Sequence, residues 1–269
     1  MKNLTNEQYK LSVDLAGGRV MEFSLAGKNH LADAALFPGS TIWTAPQSDW
    51  DWPPPPALDS EPYSVVHSDE QTLELTSAVC SQLNIRLAKA FSAIPHGFRV
   101  TTTINNVSSQ AQTYAPWQVS RVLGGHTYFY SATGPLPNSN LPMQREGNVF
   151  LYEHNPKLLT EGVKCFANNS GGWIANIFAG QIFIKGFPKL DEADVSPSEG
   201  EVEVYAFDSE SNPYVEVEVQ GPYTTIASGA QTSWAVDWWL IPVPDDFPPL
   251  GAIAEVGQAL AQIVQGVSK

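Results

Sequence analysis

Residues 214–221 read YVEVEVQG. Side chains two apart in a strand point the same way, so Val215, Val217 and Val219 turn towards a core while Glu216, Glu218 and Gln220 share the opposite face. The same alternation, or an enrichment in β-branched and aromatic residues, recurs in RVMEFSL (19–25), TLELTSAV (72–79), LNIRLAKAFSAI (83–94), FRVTTTINNV (98–107), QTYAPWQVSRV (112–122) and HTYFYSA (126–132). It continues in VFLYEH (149–154), GWIANIFAG (172–180), QIFIKGF (181–187), EVEVYAF (201–207) and TSWAVDWWLIPV (232–243). Gly, Pro, Asn and Ser clusters separate these runs and no helical period intervenes. The pattern predicts an all-β chain, one large antiparallel β-sandwich over residues 1–248.

After Pro248 and Pro249 the period changes. Leu250, Ile253, Val256, Leu260, Ile263, Val264 and Val267 fall at helical spacings, so residues 249–269 read as one amphipathic C-terminal helix. Its apolar stripe has to cover either its own sandwich or a second subunit, which makes a homodimer one expectation.

The 269 residues, 43% of them hydrophobic, suffice for a large core. With 14 Lys+Arg against 28 Asp+Glu the formal charge is -14, which argues against nucleic acid or an anionic membrane as the main partner and favours a small, neutral or locally steered ligand. The opening MKNLTNEQYKLSVDL has no apolar run after Lys2, and no stretch is long enough to span a bilayer, so a cytoplasmic location is expected. Cys80 and Cys165 stand far apart with no CxxC or Cys/His cluster, and read as small buried apolar residues. The sequence has no GxSxG elbow, P-loop, Rossmann glycine fingerprint or HExxH, and DEAD (191–194) reads as a solvated acidic loop; no cofactor and no metal is expected.

Residues 41–63, TIWTAPQSDWDWPPPPALDSEPY, hold Trp43, Trp50 and Trp52 beside four consecutive prolines. Such a run favours an extended polyproline path without backbone donors, a stiff surface strap that holds its indoles in place. Two uses are open. The indoles plug the end of the sandwich, or they form a platform for the apolar face of a sugar ring, with hydroxyls met by separate polar groups. Trp43 is expected to be buried, and Trp50 and Trp52, beside Asp49 and Asp51, to stand at a rim.

GGRVMEFSLAGKNHL (17–31), WTAPQSDWDWPPPPALDSEPY (43–63), APWQVSRV (115–122), IKGFP (184–188) and VEVEVQGPY (215–223) resemble a bacterial domain family allied to the galactose mutarotases, the aldose 1-epimerases. The likeness spans roughly residues 10–243. It implies an antiparallel supersandwich with a carbohydrate site across one concave sheet. Mutarotases use a late glutamate in a Glu-x-Gln context as general base on the anomeric hydroxyl, and Glu218-Val219-Gln220 has that order and position, with Glu216 on the same face. They also use a mid-chain histidine as acid. Where the resemblance places that histidine, this chain has Trp117 and Gln118, while His126 in GHTYF echoes its motif from a later position.

Strand alternation puts Trp117, Val119 and Arg121 on one face and Gln118 and Ser120 on the other, and Pro116 permits a bulge, so either set is a candidate for the cavity. Lys185, a cation in an otherwise apolar strand, is a candidate ligand anchor or proton donor, with Glu203 as a possible ion-pair partner. Two functions follow. One is a carbohydrate-binding protein with Trp50, Trp52, Trp117, Gln118 and Glu216 as contacts. The other is a sugar epimerase or mutarotase with Glu218 as base and an acid drawn from Lys185, Arg121 or His126.

Overall fold

The computed structural model describes residues 1–33, 37–159, 162–207 and 214–268. These residues form two antiparallel sheets of ten strands each, packed face to face, and one long helix at the C-terminus. Lys269, the last residue of the expected helix, lies outside the described residues.

The first sheet runs, edge to edge, through Lys2–Asn6, Tyr9–Asp14, Arg19–Leu25, Ser40–Ala45, Gln112–Val122, Tyr214–Gln220, Val202–Phe207 and Val163–Ala167; two short strands, Lys28–Asn29 and Thr224–Ile226, pair beside this path. The second sheet runs through Gln144–Glu146, Val149–Glu153, His126–Ser131, Ser170–Phe178, Gln181–Gly186, Gln231–Pro242, Gly97–Asn106, Ile85–Ile94, Thr72–Thr76 and Ser64–Ser68. The alternating segments behave as their period requires. In Tyr214–Gln220, Val215, Val217 and Val219 are fully buried against the second sheet, where Phe183 and Trp238 meet them in the central core. Hairpins are tight: Ala179 and Gly180, both at positive φ (50° and 79°), join Ser170–Phe178 to Gln181–Gly186, and glycine takes the second position at no steric cost.

The helix Ile253–Val267 begins four residues later than the apolar spacing suggests, because the chain turns through residues 249–252 first. It covers its own sandwich. Ile253, Val256 and Leu260 are buried on the outer face of the second sheet against Tyr128, Leu151, Trp173, Ile177, Ile184 and Trp239, with Leu250, Ile263, Val264 and Val267 at the margin. Gly257 lies so close to Val149 that a Cβ there would stand 2.5 Å from the valine methyl. No helix of the described residues is long and apolar enough to cross a membrane.

Residues 41–63 depart from the polyproline strap expected of them. Ser40–Ala45 is a central strand buried on both faces, so Trp43 belongs to the sheet itself. Beyond it, Gln47–Asp49 makes a 3-10 turn and Pro56–Asp59 one turn of α-helix, with proline at a first-turn position where no backbone donor is missed. This coiled segment folds back over the outward face of the first sheet. Cys80 and Cys165 are buried and unbridged.

Candidate functional site

The outward face of the first sheet, turned away from the core, collects most of the chemistry. Register fixes which side chains share it. Trp117 lies opposite Trp43 on one neighbour and Gln220 on the other, Val119 opposite Glu218, and Arg121 opposite Glu216. One strand further, Glu203 lies opposite Glu218 and Tyr205 opposite Glu216; at the edge Phe166 and Lys164 continue the rows. Partners opposite one another in an antiparallel pair point to the same side, so Trp43, Trp117, Arg121, Glu216, Glu218, Gln220, Glu203 and Lys164 form one surface.

Aromatic rings wall this surface on the strap side. The Trp43 ring centroid lies 5.2 Å from Trp117, 5.8 Å from Trp50 and 6.0 Å from Trp52, mostly edge to face. Trp43 and Trp50 are buried, whereas Trp52 is 51% exposed and packs on Phe37 at 5.5 Å. Of the two indoles expected at the rim, Trp52 is there and Trp50 is not: Trp50 Nε1 donates to the Thr44 carbonyl at 2.8 Å and its ring closes on Trp117. Asp59 holds the wall from behind, with one carboxylate oxygen accepting from Trp43 Nε1 (2.8 Å), Thr41 Oγ1 (3.0 Å) and Arg19 Nη2 (2.7 Å).

The floor is charged. Trp117 Nε1 donates to Glu218 Oε2 at 2.6 Å. Arg121 Nε reaches Glu216 Oε1 at 2.6 Å, with its guanidinium over the rings of Phe37, Trp43 and Tyr214 at 5.2–5.8 Å. Lys164 Nζ reaches Glu203 Oε1 at 3.0 Å. Gln220 Nε2 donates to Glu199 Oε2 at 2.7 Å, and Glu199 Oε1 accepts from the Gln47 backbone, tying the floor to the strap.

Burial and mutual repulsion shift the carboxyl groups. Glu218 is 1% exposed; loss of hydration, with Glu203 and Glu216 beside it, raises its pKa well above the carboxylate range against the opposing pull of Lys164 and Trp117. Glu203 is pushed up to about 7 by burial, although Lys164 resists. Burial alone would depress Lys164, but Glu203 and Glu218 outweigh it and the ammonium is held on. The Glu203 and Glu218 pair can hold and exchange a proton, with the Trp117 indole N–H on Glu218. Among the described residues no group of three or more His, Cys, Asp or Glu is placed to hold a metal ion.

Three residues singled out in the sequence stand elsewhere. Lys185 points between the sheets, on the far side of the strands from Glu218, and its Nζ donates to the carbonyls of Val217 (2.7 Å) and Gln118 (3.1 Å); burial lowers its pKa to about 7. Its strand is buried on both sides, so the sequence alone does not say which way a cation within it points. Gln118 lies in the same interlayer, accepting from Trp238 Nε1 at 3.1 Å. The strand runs without a bulge against its neighbour Tyr214–Gln220, so the set Trp117 and Arg121 faces outward and the set Gln118 and Ser120 faces the core. His126 sits on the second sheet, on the side covered by the C-terminal helix, 3.7 Å from Glu153. Glu203 pairs with Lys164 and not with Lys185. Lys164, Glu199 and Tyr205 were not singled out by sequence; the alternation in EVEVYAF was the available signal for the face of Glu203 and Tyr205.

Residues 136–242 match a family described as a domain of unknown function (DUF4380). Comparison with curated protein sequences returned no match. Solved structures with similar folds include a galactose mutarotase-like protein from Lactobacillus casei (13% identity, 89% of this chain and 99% of that one, TM-score 0.62). A galactose mutarotase related enzyme from Lactobacillus acidophilus is also similar (7% identity, 90% and 98%, TM-score 0.64). So is a galactose mutarotase-like protein from Clostridium acetobutylicum (9% identity, 89% and 94%, TM-score 0.57). At these identities the likeness is one of fold. Together with the two sheets and their register, it shows that the chain folds as a galactose mutarotase-like β-sandwich around a segment matching DUF4380.

Proposed function

We propose that this chain is a carbohydrate-binding protein whose ligand sits on the outward face of the first sheet, between the indoles of Trp43, Trp52 and Trp117 and the polar row of Glu218, Gln220 and Glu203. The observation that carries the reading is the Trp117 to Glu218 hydrogen bond of 2.6 Å, which joins the aromatic wall to the carboxylate floor at one point. A pyranose offers an apolar face and a ring of hydroxyls, and a site for it needs both surfaces within one side chain of each other. Trp52 is the exposed member of the cluster.

A second reading, turnover of the anomeric centre, is favoured by the raised pKa of Glu218, since a base must hold the proton it takes. The acid of such a reaction would come from Glu203 or Lys164, which share the face, and not from Lys185 or His126, which do not. Tryptophan emission titrated with neutral aldoses tests the first reading: a saturable change is expected, and a flat response at high sugar concentration would sink it. Glu218→Gln separates the two readings. Affinity within about threefold of wild type with anomer interconversion lost supports turnover; unchanged interconversion supports binding alone.

A further inference from the structure

The charges of the candidate face do not balance. Glu199, Glu203, Glu216 and Glu218 stand around Lys164 and Arg121, and Arg121 is already taken up by Glu216. Arg19 and Asp59 behind the wall neutralise one another. What remains around Glu218 is an excess of buried carboxylate, with Tyr205 as the neighbouring hydroxyl. Buried charge without a partner is costly, and a site that keeps it gains whatever ligand neutralises it.

Among the described residues, two acceptors on this face also lack any donor. Glu203 Oε2 and Gln220 Oε1 are buried and make no hydrogen bond, while the other polar atom of each side chain is engaged by Lys164 and Glu199 respectively. Glu203 is 2% exposed and Gln220 1%. Register puts them on either side of Glu218, Glu203 directly across from it and Gln220 two residues further along its strand. A buried acceptor left empty costs about 1–3 kcal/mol, so an oxygen pair flanking a third carboxylate calls for a ligand group with several donors. A hydroxyl has one donor. An ammonium has three, and carries the missing charge as well.

Resting on the carbohydrate reading above, we propose that the ligand is an amino sugar whose protonated amine sits among Glu203, Glu218 and Gln220, with its ring against Trp117. The proton that burial, with repulsion among the carboxylates, now keeps on the Glu203 and Glu218 pair is displaced when the amine arrives. Anionic sugars are disfavoured at the same spot, because the two cations of the face, Lys164 and Arg121, are already paired with Glu203 and Glu216, and Lys185 is turned into the core.

Calorimetric titration of the full chain at pH 7 with glucosamine and galactosamine, their neutral parents, their N-acetyl derivatives and the corresponding uronates tests this. The amino sugars are expected to bind at least about tenfold tighter than their parents, as a charge-assisted hydrogen bond to a buried carboxylate implies, and acetylation is expected to erase the gain. Glu203→Gln should bring amine and parent to within about threefold of each other. Amino sugars no tighter than their parents, or uronates that bind as well, would overturn the ammonium assignment and leave the carbohydrate reading standing. If none of these sugars binds the wild-type chain, both fall. The comparison among ligands uses the unmodified protein, so it decides the matter even if Glu203→Gln fails to fold.

Discussion

Glu203 and Glu218 face each other directly across two antiparallel strands, on the side away from the core, and both are buried. Side chains in that relation stand about 5 Å apart at Cβ, so two negative charges there repel through a medium poorer than water. Burial first, and this repulsion with it, keep a proton on the pair at a pH where exposed glutamates have lost theirs.

Stability should therefore depend on pH in an unusual way. Between its ordinary value of 4.5 and its raised value of about 7, Glu203 holds a proton in the folded chain that the unfolded chain has released, so stability falls as pH rises. Lys89 and Lys185, fully buried and lowered from 10.5 to about 7, act in the opposite sense: above pH 7 the unfolded chain binds the extra protons, and stability rises again. Each unit of such a shift corresponds to about 1.4 kcal/mol. Urea midpoints measured from pH 5 to 9 should pass through a minimum near 7, with Glu203→Gln flattening the acid limb and Lys185→Met making the alkaline limb shallower. A midpoint that climbs steadily from pH 5 to 7 in both wild type and Glu203→Gln contradicts this.

Trp52→Ala is expected to fold normally, since the ring is half exposed, and to weaken sugar binding by about 1 kcal/mol through loss of one aromatic face. Trp50→Ala, by contrast, removes a buried indole that closes on Trp43 and Trp117 and should cost about 3–5 kcal/mol of stability. Equal thermal shifts for the two variants would contradict the placement of the rings.

Removing residues 250–269 uncovers Trp173, Ile184 and Trp239 on the outer face of the second sheet. Each buried aliphatic of the helix contributes about 1.5–3 kcal/mol, so the truncated chain should melt well below the full one or self-associate. An unchanged melting temperature together with an unchanged elution volume would show the helix to be dispensable.

Gly257→Val tests the same contact at one atom. The added side chain meets Val149, a stiff β-branched neighbour, and overpacking of this kind costs about 1–3 kcal/mol; Gly266→Ala, with open space around it, should be neutral or slightly stabilising.

What the sequence made legible depended on whether a strand alternates apolar with polar residues: Tyr214–Gln220 is buried throughout, yet its Val/Glu alternation still separates its faces. In Tyr214–Gln220 the inward valines and the outward Glu218 follow from the period alone, whereas in Gln112–Val122 the period gives the two sets but not which of them faces outward. Ser40–Ala45, STIWTA, shows no such alternation and runs straight into the proline-rich segment, which is why Trp43 reads as part of a strap when it is part of the sheet. Lys185 misleads for the same reason. Charge next to Ile and Gly suggests a site, yet only the packing of two sheets determines which side of Gln181–Gly186 is inward. The Glu203 and Glu218 pair depends on register between strands whose connecting residues 208–213 carry no signal for it, so alternation gives the face of each carboxylate but not that they meet.

Lys185 acts as a rivet driven from the back of the panel. Its ammonium takes the carbonyl just before Glu218 and the carbonyl just after Trp117, so one cation from the second sheet clasps the two ribbons that carry the indole and the carboxylate. The second sheet thereby governs the spacing of groups it never touches. Amide exchange at Glu218 and Val119 would report a loosened rivet in Lys185→Met before any change in what the front of the panel holds.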